Sequence, residues 1–153
     1  MRIFLIAIFI FIFSSGFCRA QTSPNPNSKK PIAIPATSAV KASPAYAEIL
    51  LRKTERESSL EELLLDYTEE FPKVKEIRYE LSVIEKEFNK ILAVPPSEAG
   101  KLTLALGKLM VRKIEIETDL WNLRRQYNDD HPEVKRTRRK IEVFDKAIKE
   151  IIP

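Results

Sequence analysis

The side chains best suited to chemistry in this chain are few and far apart. The sequence holds one His, His131, and one Cys, Cys18. A zinc site built on these two residues would need several carboxylates to complete its ligands. The acidic residues are scattered, and no pair has the apolar surroundings that tune one carboxyl as an acid and another as a base. With only three Gly, the chain also lacks a glycine-rich phosphate loop. We therefore predict no enzymatic activity, no metal and no cofactor.

Basic residues are concentrated in one part of the chain and acidic residues in another. Residues 123–140 hold seven basic and three acidic side chains, whereas residues 54–70 hold seven acidic side chains and Arg56 alone as a base. Two interpretations stay open. The two segments neutralise each other within the fold, or the basic one forms a surface for lipid headgroups, an anionic polysaccharide or an acidic protein. The candidate interaction surface consists of Trp121, Arg124, Arg125, Arg136, Arg138 and Arg139.

The segment from Met1 to Ala20 has the pattern of a secretory signal peptide. Arg2 precedes eleven apolar residues, 3–13, and small or polar residues follow as far as Ala20. Cleavage after Ala20 would remove Cys18. An uncleaved membrane anchor is the alternative, although a spanning helix needs about 20 apolar residues. We predict a periplasmic or secreted protein, and export disfavours a nucleic-acid partner.

A spacer follows the signal peptide. Residues 21–44 are dominated by Pro, Ser, Asn, Thr, Lys and Ala and contain no aromatic side chain. Such a composition cannot bury a core, so we predict a disordered tether.

The remainder, 45–153, is an internal duplication. When position 52 is aligned with position 112 and the alignment runs on without a gap, fourteen pairs are identical. Among them are Arg52 with Arg112, Tyr67 with Tyr127 and Pro72 with Pro132. This repeat alignment places His131 opposite Phe71, so His131 is not part of the repeated pattern. We interpret it as a turn residue that packs or caps.

Each repeat has the apolar spacing of a helical hairpin. Val74, Ile77, Leu81, Ile84, Phe88 and Ile91 follow one another in steps of three and four, which is a heptad seam. The first arm of repeat two carries a similar seam from Leu102 to Tyr127, with Lys113 as its one polar member. In repeat one Lys53 and Arg56 interrupt the seam, and their long stems can cover apolar surface while the charged ends reach water.

Explicit turn signals separate the arms. Each of the two turns, 67–72 and 127–132, begins with Tyr and ends with Pro, which is tolerated in the first turn of a helix. Asp130 and Glu133 have capping-box spacing. Tyr67 and Tyr127 are expected to plug the hairpin ends, and Trp121 to lie between the hairpins or to anchor a partner. The turn residues singled out are Tyr67, Pro72, Tyr127, Asp130, His131 and Pro132.

The arm–turn–arm segments resemble the periplasmic coiled-coil hairpin of bacterial polysaccharide co-polymerases, the chain-length determinant family. Leu123, Tyr127, Asp130, His131, Pro132, Val134 and Lys135 carry the resemblance, and Leu63, Tyr67, Glu70, Pro72, Val74 and Lys75 repeat it. The resemblance implies a long helical hairpin and a link to envelope polysaccharide. That family also has two membrane spans and an α/β base, whereas this sequence shows no C-terminal span and has no room for the base.

Together these features predict an all-α protein made of two tandem antiparallel hairpins, 45–93 and 101–153, joined by a linker at 94–100. The hairpins are expected to form a four-helix bundle or an elongated double coiled coil. We expect helices near 45–67, 72–93, 99–127 and 132–151. The predicted function is that of an exported scaffold or interaction protein of the cell envelope, acting through a protein partner or self-association. A periplasmic holdase-type chaperone is the alternative.

Overall fold

A computed structural model describes residues 36–153, and every regular element within this range is a helix. The elements are α1 (Ala36–Lys41), α2 (Pro44–Asp66), α3 (Pro72–Ala93), a 3-10 helix (Pro96–Lys101), α4 (Leu104–Arg124) and α5 (Pro132–Ile151). The predicted all-α class is confirmed. The predicted signal peptide and residues 21–35 of the predicted spacer lie outside the described residues.

The four long helices form two antiparallel hairpins packed side by side. Helices α2 and α3 make hairpin 1, and α4 and α5 make hairpin 2. Helix α4 is central, because it packs against α2 and α3 as well as against its own partner α5. Along α2, Ala45 lies near Gly107 and Arg52 near Glu115. Along α3, Tyr79 stacks on Trp121 and Glu87 pairs with Lys113. Thus α2 runs parallel to α4, α3 runs antiparallel to it, and both hairpin turns lie at one end.

The two hairpins begin their helices at positions that are equivalent in the repeat alignment. The side-chain oxygens of Ser43 and Thr103 cap α2 and α4, accepting hydrogen bonds from the backbone N–H groups of Tyr46 and Leu106, each at 3.3 Å. Such caps satisfy donors that the first helical turn leaves without partners. Helices α3 and α5 both begin at Pro. The equivalence also includes α1 and the 3-10 helix.

Three sequence-based expectations about local structure are wrong. The predicted disorder does not hold for residues 36–44, because Val40 of α1 is buried in the core and Ser43 caps α2. The third long helix begins at Leu104 rather than near residue 99, because the 3-10 helix and the Thr103 cap precede it. The N-cap of α5 is His131, not Asp130, so no capping box forms there.

The core follows the seam predicted for α3 and adds a second face on α4. Val74, Ile77, Ile84, Phe88 and Ile91 are buried. Of the predicted seam, Leu102 just before α4 is buried, as are Leu106, Lys113 and Ile116 on α4 itself. Four further α4 residues are also buried, namely Gly107, Met110, Ile114 and Thr118. The second set has helical spacing of its own. Buried residues on two faces are what allow α4 to lie between hairpin 1 and α5.

The two hairpins approach each other closely at Gly107. A Cβ atom on Gly107 would lie 2.8 Å from Cβ of Glu48 and 3.0 Å from Cα of Ala45. The backbone N–H of Ala45 also donates to the carbonyl oxygen of Leu102 at 3.2 Å. The absence of a side chain at Gly107 therefore lets α2 and α4 come into backbone contact.

Candidate interaction surface

The two hairpin turns share one construction, with an aromatic stack inside each. Tyr67 stacks on Phe71 and Tyr127 stacks on His131, both with ring centroids 4.1 Å apart. Nδ1 of His131 also accepts a hydrogen bond from the backbone N–H of Glu133 at 3.3 Å. His131 thus both packs and caps. Both tyrosines remain exposed, so they stack across the turn and do not plug the hairpin end.

The charges of each turn are neutralised within that turn. In hairpin 1, Glu69 pairs with Arg78 and Glu70 with Lys75. At the equivalent positions of hairpin 2, Asp129 pairs with Arg138 at 3.1 Å and Asp130 with Lys135 at 3.0 Å. The turn charges are therefore neutralised inside each hairpin, and not by pairing of the acidic segment 54–70 with the basic segment 123–140.

Asp129 holds two of the basic residues singled out from the sequence. Its carboxylate accepts hydrogen bonds from Arg124 at 2.9 and 3.2 Å and lies 3.1 Å from Arg138. The hydrogen bond from Arg124 is the main cause that lowers the pKa of Asp129 below its ordinary value. These exposed pairs fix the turn but contribute little to stability.

The remaining basic candidates have different surroundings. Arg136 pairs with Glu133 at 2.6 Å on the same helix, and the guanidinium of Arg125 lies 4.8 Å from the centre of the Trp121 ring. Arg139 is exposed on α5. The six candidates therefore do not share one set of partners.

Trp121 lies at the contact between the two hairpins. Its ring stacks on Tyr79 of α3, with centroids 5.1 Å apart and planes inclined by 15°. The side chain is half-buried. Trp121 is thus held by hairpin 1 through Tyr79 and is covered in part by Arg125.

An exposed surface that combines apolar and basic side chains lies on the outer face of α5. Val143 is 67% exposed and lies beside Phe144 in a shallow cleft, with Arg136, Arg139 and Lys140 around it. Sequence reasoning missed Val143, Phe144 and Lys140. The sequence shows only that Val143 is identical to Val83 of repeat one; the structure adds that Val83 is buried whereas Val143 is exposed.

A buried cluster of charges ties three helices together behind this surface. Nζ of Lys113 donates to Glu87 at 2.9 Å and to Asp145 at 2.8 Å, which joins α4 to α3 and α5. Lys113 is 5% exposed and Glu87 is 2% exposed. Burial opposes the charge on Lys113, but the hydrogen bonds to Asp145 and Glu87 outweigh it and raise the pKa of the ammonium group.

The same cluster strengthens the acidity of Asp145. Hydrogen bonds from Lys113 and then Lys149 lower the pKa of Asp145 to about 2. Oε2 of Glu87 is buried and has no hydrogen-bond partner among the described residues. The cluster is a structural ion network in which Lys113 provides the central charge.

A second cavity lies at the end of the bundle opposite the turns. It has a volume of about 470 Å³ and is bordered by Val94, Pro95, Ile148, Ile152 and Pro153, with Lys90, Asp145 and Lys149 at its edge. Its lining is mainly apolar. It could accept an apolar side chain or a small apolar group.

Neither a metal cluster nor a spanning helix is present among residues 36–153. In this range no three His, Cys, Asp or Glu side chains are grouped so that they could hold a metal ion. None of the helices described combines the length and apolar character needed to cross a membrane.

Comparison with known proteins gives no relative, since no family model, no curated protein and no solved structure matches the chain.

Proposed function

We propose that the chain is an exported, non-enzymatic scaffold that binds a helical protein partner through the outer face of α5. The observation that carries this proposal is the cleft at Val143, an exposed apolar side chain surrounded by Arg136, Arg139 and Lys140. A groove of this kind suits an amphipathic helix with an acidic margin, since apolar contacts supply affinity and opposite charges set orientation.

The contacts that hold hairpin 2 together support this role. Its two arms are joined by the Lys113–Asp145 pair, and its turn is closed by the Tyr127–His131 stack. A surface held on such a frame loses little conformational freedom when a partner binds. Export is proposed from the pattern of residues 1–20, and the link to envelope polysaccharide from the resemblance at 123–135 and its repeat at 63–75.

Site-specific photo-crosslinking tests this function. A photoreactive side chain at Val143 should give a protein adduct in an envelope extract. The same group at Lys146, an exposed position on the same helix, should give less. Equal labelling from both positions, or none from Val143, would contradict a docking face. Retention on anionic glycan or anionic vesicles without a protein adduct would replace the protein partner by one of those ligands.

The holdase-type chaperone is a second candidate, and the apolar cavity beside Val94 and Ile152 favours it. Suppression of aggregation of an unfolded outer-membrane protein would support it. If suppression persists when Ile152 is replaced by Glu, this cavity is not where clients bind.

A further inference from the structure

The two hairpins are equivalent in their ion pairs as well as in their helix boundaries. Lys53 pairs with Glu85 at 3.0 Å, and Lys113 pairs with Asp145 at 2.8 Å. The same repeat alignment relates the Glu69–Arg78 pair to the Asp129–Arg138 pair. Each surface of hairpin 1 therefore has a counterpart on hairpin 2.

In hairpin 1, the groove between α2 and α3 is filled by α4. Ala45 of α2 meets Gly107, Arg52 lies 3.7 Å from Glu115, and Tyr79 of α3 stacks on Trp121. Val83 of α3 is buried in the same cluster as Met110 and Ile114 of α4.

The counterpart groove of hairpin 2 is open. The residues equivalent to Ala45, Arg52, Tyr79 and Val83 are respectively Ala105, Arg112, Arg139 and Val143. All four of these counterparts are exposed. The groove of hairpin 2 thus lies between the same helical arms as the groove of hairpin 1, but no helix of the described chain fills it.

The chain also carries a helix face equivalent to the one that fills the groove. Helix α4 inserts Gly107, Met110, Ile114, Thr118 and Trp121. In the repeat alignment, the counterparts on α2 are Ala47, Leu50, Thr54, Ser58 and Glu61, and all are exposed.

We propose that α2 of a second copy of this chain occupies the open groove of hairpin 2, as α4 occupies that of hairpin 1. The inference rests on the proposed function and names its partner. The Arg52–Glu115 contact becomes Arg112 of one copy with Glu55 of the next. The Tyr79–Trp121 stack becomes an ion pair between Arg139 and Glu61.

Charge complementarity distinguishes this occupant from an unrelated helix. Around the groove the α5 side chains Arg136, Arg139 and Lys140 are basic, while α2 carries Glu55, Glu57, Glu61 and Glu62. Leu50, which is 42% exposed, supplies the apolar contact to Val143. Within the chain, α1 packs against the 3-10 helix, which is its counterpart in the second repeat. In the proposed contact, α1 of the second copy packs against the 3-10 helix of the first in the same way.

The contact is head-to-tail, so it leaves one free groove and one free α2 face at the ends of any assembly. Such a heterologous interface does not close unless its rotation forms a ring. Its strength is below that of the contact within the chain, because Glu87, the buried partner of Lys113, is replaced by Ala147. Assembly therefore depends on concentration and weakens as salt rises.

Charge reversal tests the proposal on the purified protein. Sedimentation should show an average mass that rises with concentration beyond two chains. Arg139→Glu alone and Glu61→Arg alone should each weaken association about tenfold or more, since each places like charges opposite each other. An equimolar mixture of the two variants should recover it, because the charges introduced at positions 139 and 61 are again opposite in sign.

Lys146→Glu is the matched control, with a reversal of charge on the same helix. Its counterpart Lys86 is exposed in hairpin 1, outside the filled groove. Association equal to that of the unaltered chain is expected for this variant. Circular dichroism should be unchanged in all three variants, because Glu61, Arg139 and Lys146 are exposed.

The outcomes separate the two proposals. A protein that stays monomeric up to about millimolar concentration, or forms only dimers insensitive to both reversals, overturns the second-copy inference. If the Val143 crosslinker then still captures a different protein, the scaffold function stands without self-association. If Val143 captures nothing, both proposals are overturned.

Discussion

Lys113 and Asp145 hold the two arms of hairpin 2 together, with Nζ of the lysine 2.8 Å from Oδ1 of the aspartate. Lys53 and Glu85 make the same connection in hairpin 1 at 3.0 Å. The two lysines differ in what else surrounds them. Lys113 also neutralises the buried carboxylate of Glu87, whereas Lys53 lies nearer the surface, over the Phe88 ring.

Lys113→Met should destabilise the protein far more than the same change at Lys53. Removing Lys113 leaves the buried carboxylate of Glu87 with only the more exposed Lys90, 2.7 Å away, as its counter-ion. Breaking a buried pair in this way costs up to roughly 3–5 kcal/mol. Lys53→Met breaks a more exposed pair, which is worth about 1 kcal/mol or less. Urea unfolding followed by circular dichroism measures both. Equal losses for the two variants would show that the Lys113 cluster is not the anchor of the bundle.

The low pKa of Asp145 predicts a pH-dependent contribution to stability. Because its pKa is lowered to about 2 from an ordinary 3.8, the native state keeps this carboxylate charged after the unfolded chain has taken up a proton. The contribution is present above about pH 4 and is lost as pH falls toward 2.

The comparison of Asp145→Asn with the unaltered chain isolates this contribution. At pH 6 the variant should be less stable by on the order of 1 kcal/mol. The difference should shrink between pH 4 and pH 2. Glu142→Gln, an exposed change on the same helix, serves as the control. A difference for Asp145→Asn that is constant over this range would contradict the assigned ion pair.

Gly107→Val should loosen the contact between the hairpins. A side chain there would collide with Glu48 and with the backbone of Ala45. Overpacking of this kind costs about 1–3 kcal/mol. Ala47→Val places the same residue at the equivalent exposed position of α2, and we expect a smaller effect in thermal unfolding of the dilute protein. A larger loss at Ala47 would refute this description of the crossing.

Trp121 is the one tryptophan of the chain, so its fluorescence reports on the contact between the hairpins. Tyr79→Ala removes its stacking partner and should shift the emission to longer wavelength. A double-mutant cycle with Trp121→Ala should give a coupling of about 0.5–1.5 kcal/mol between the two rings. Zero coupling, with unchanged emission in Tyr79→Ala, would mean that the stack does not form in solution.

The elements that could be predicted from the sequence are those whose apolar residues follow a single period. The α3 seam from Val74 to Ile91 was visible because one face of that helix carries most of its apolar residues. The proline-marked starts of α3 and α5 were equally accessible. Helix α1 could not be predicted, because it is short and its composition is that of a spacer. Only the structure shows that Val40 is buried.

The second face of α4 could not be recognised from spacing alone. Gly107 and Thr118 are not apolar, and Met110 and Ile114 alternate with the seam that faces α5. Similarly, the cluster of basic residues indicated a charged surface, but local acids such as Asp129 hold several of them in the turn. The open groove is recognised only when equivalent positions of the two hairpins are compared for exposure.

The positions of α1 and of Pro153 determine where a label or fusion partner can be attached. Val40, Val94 and Ile152 lie in one buried cluster at the end of the bundle opposite the turns. A label or fusion joined after Pro153 would therefore stand beside α1. The Tyr67 and Tyr127 turns would stay clear of it, roughly 30 Å away along the helices. Probes placed at positions 68 and 128 would then report events at the far end without touching either end of the described chain.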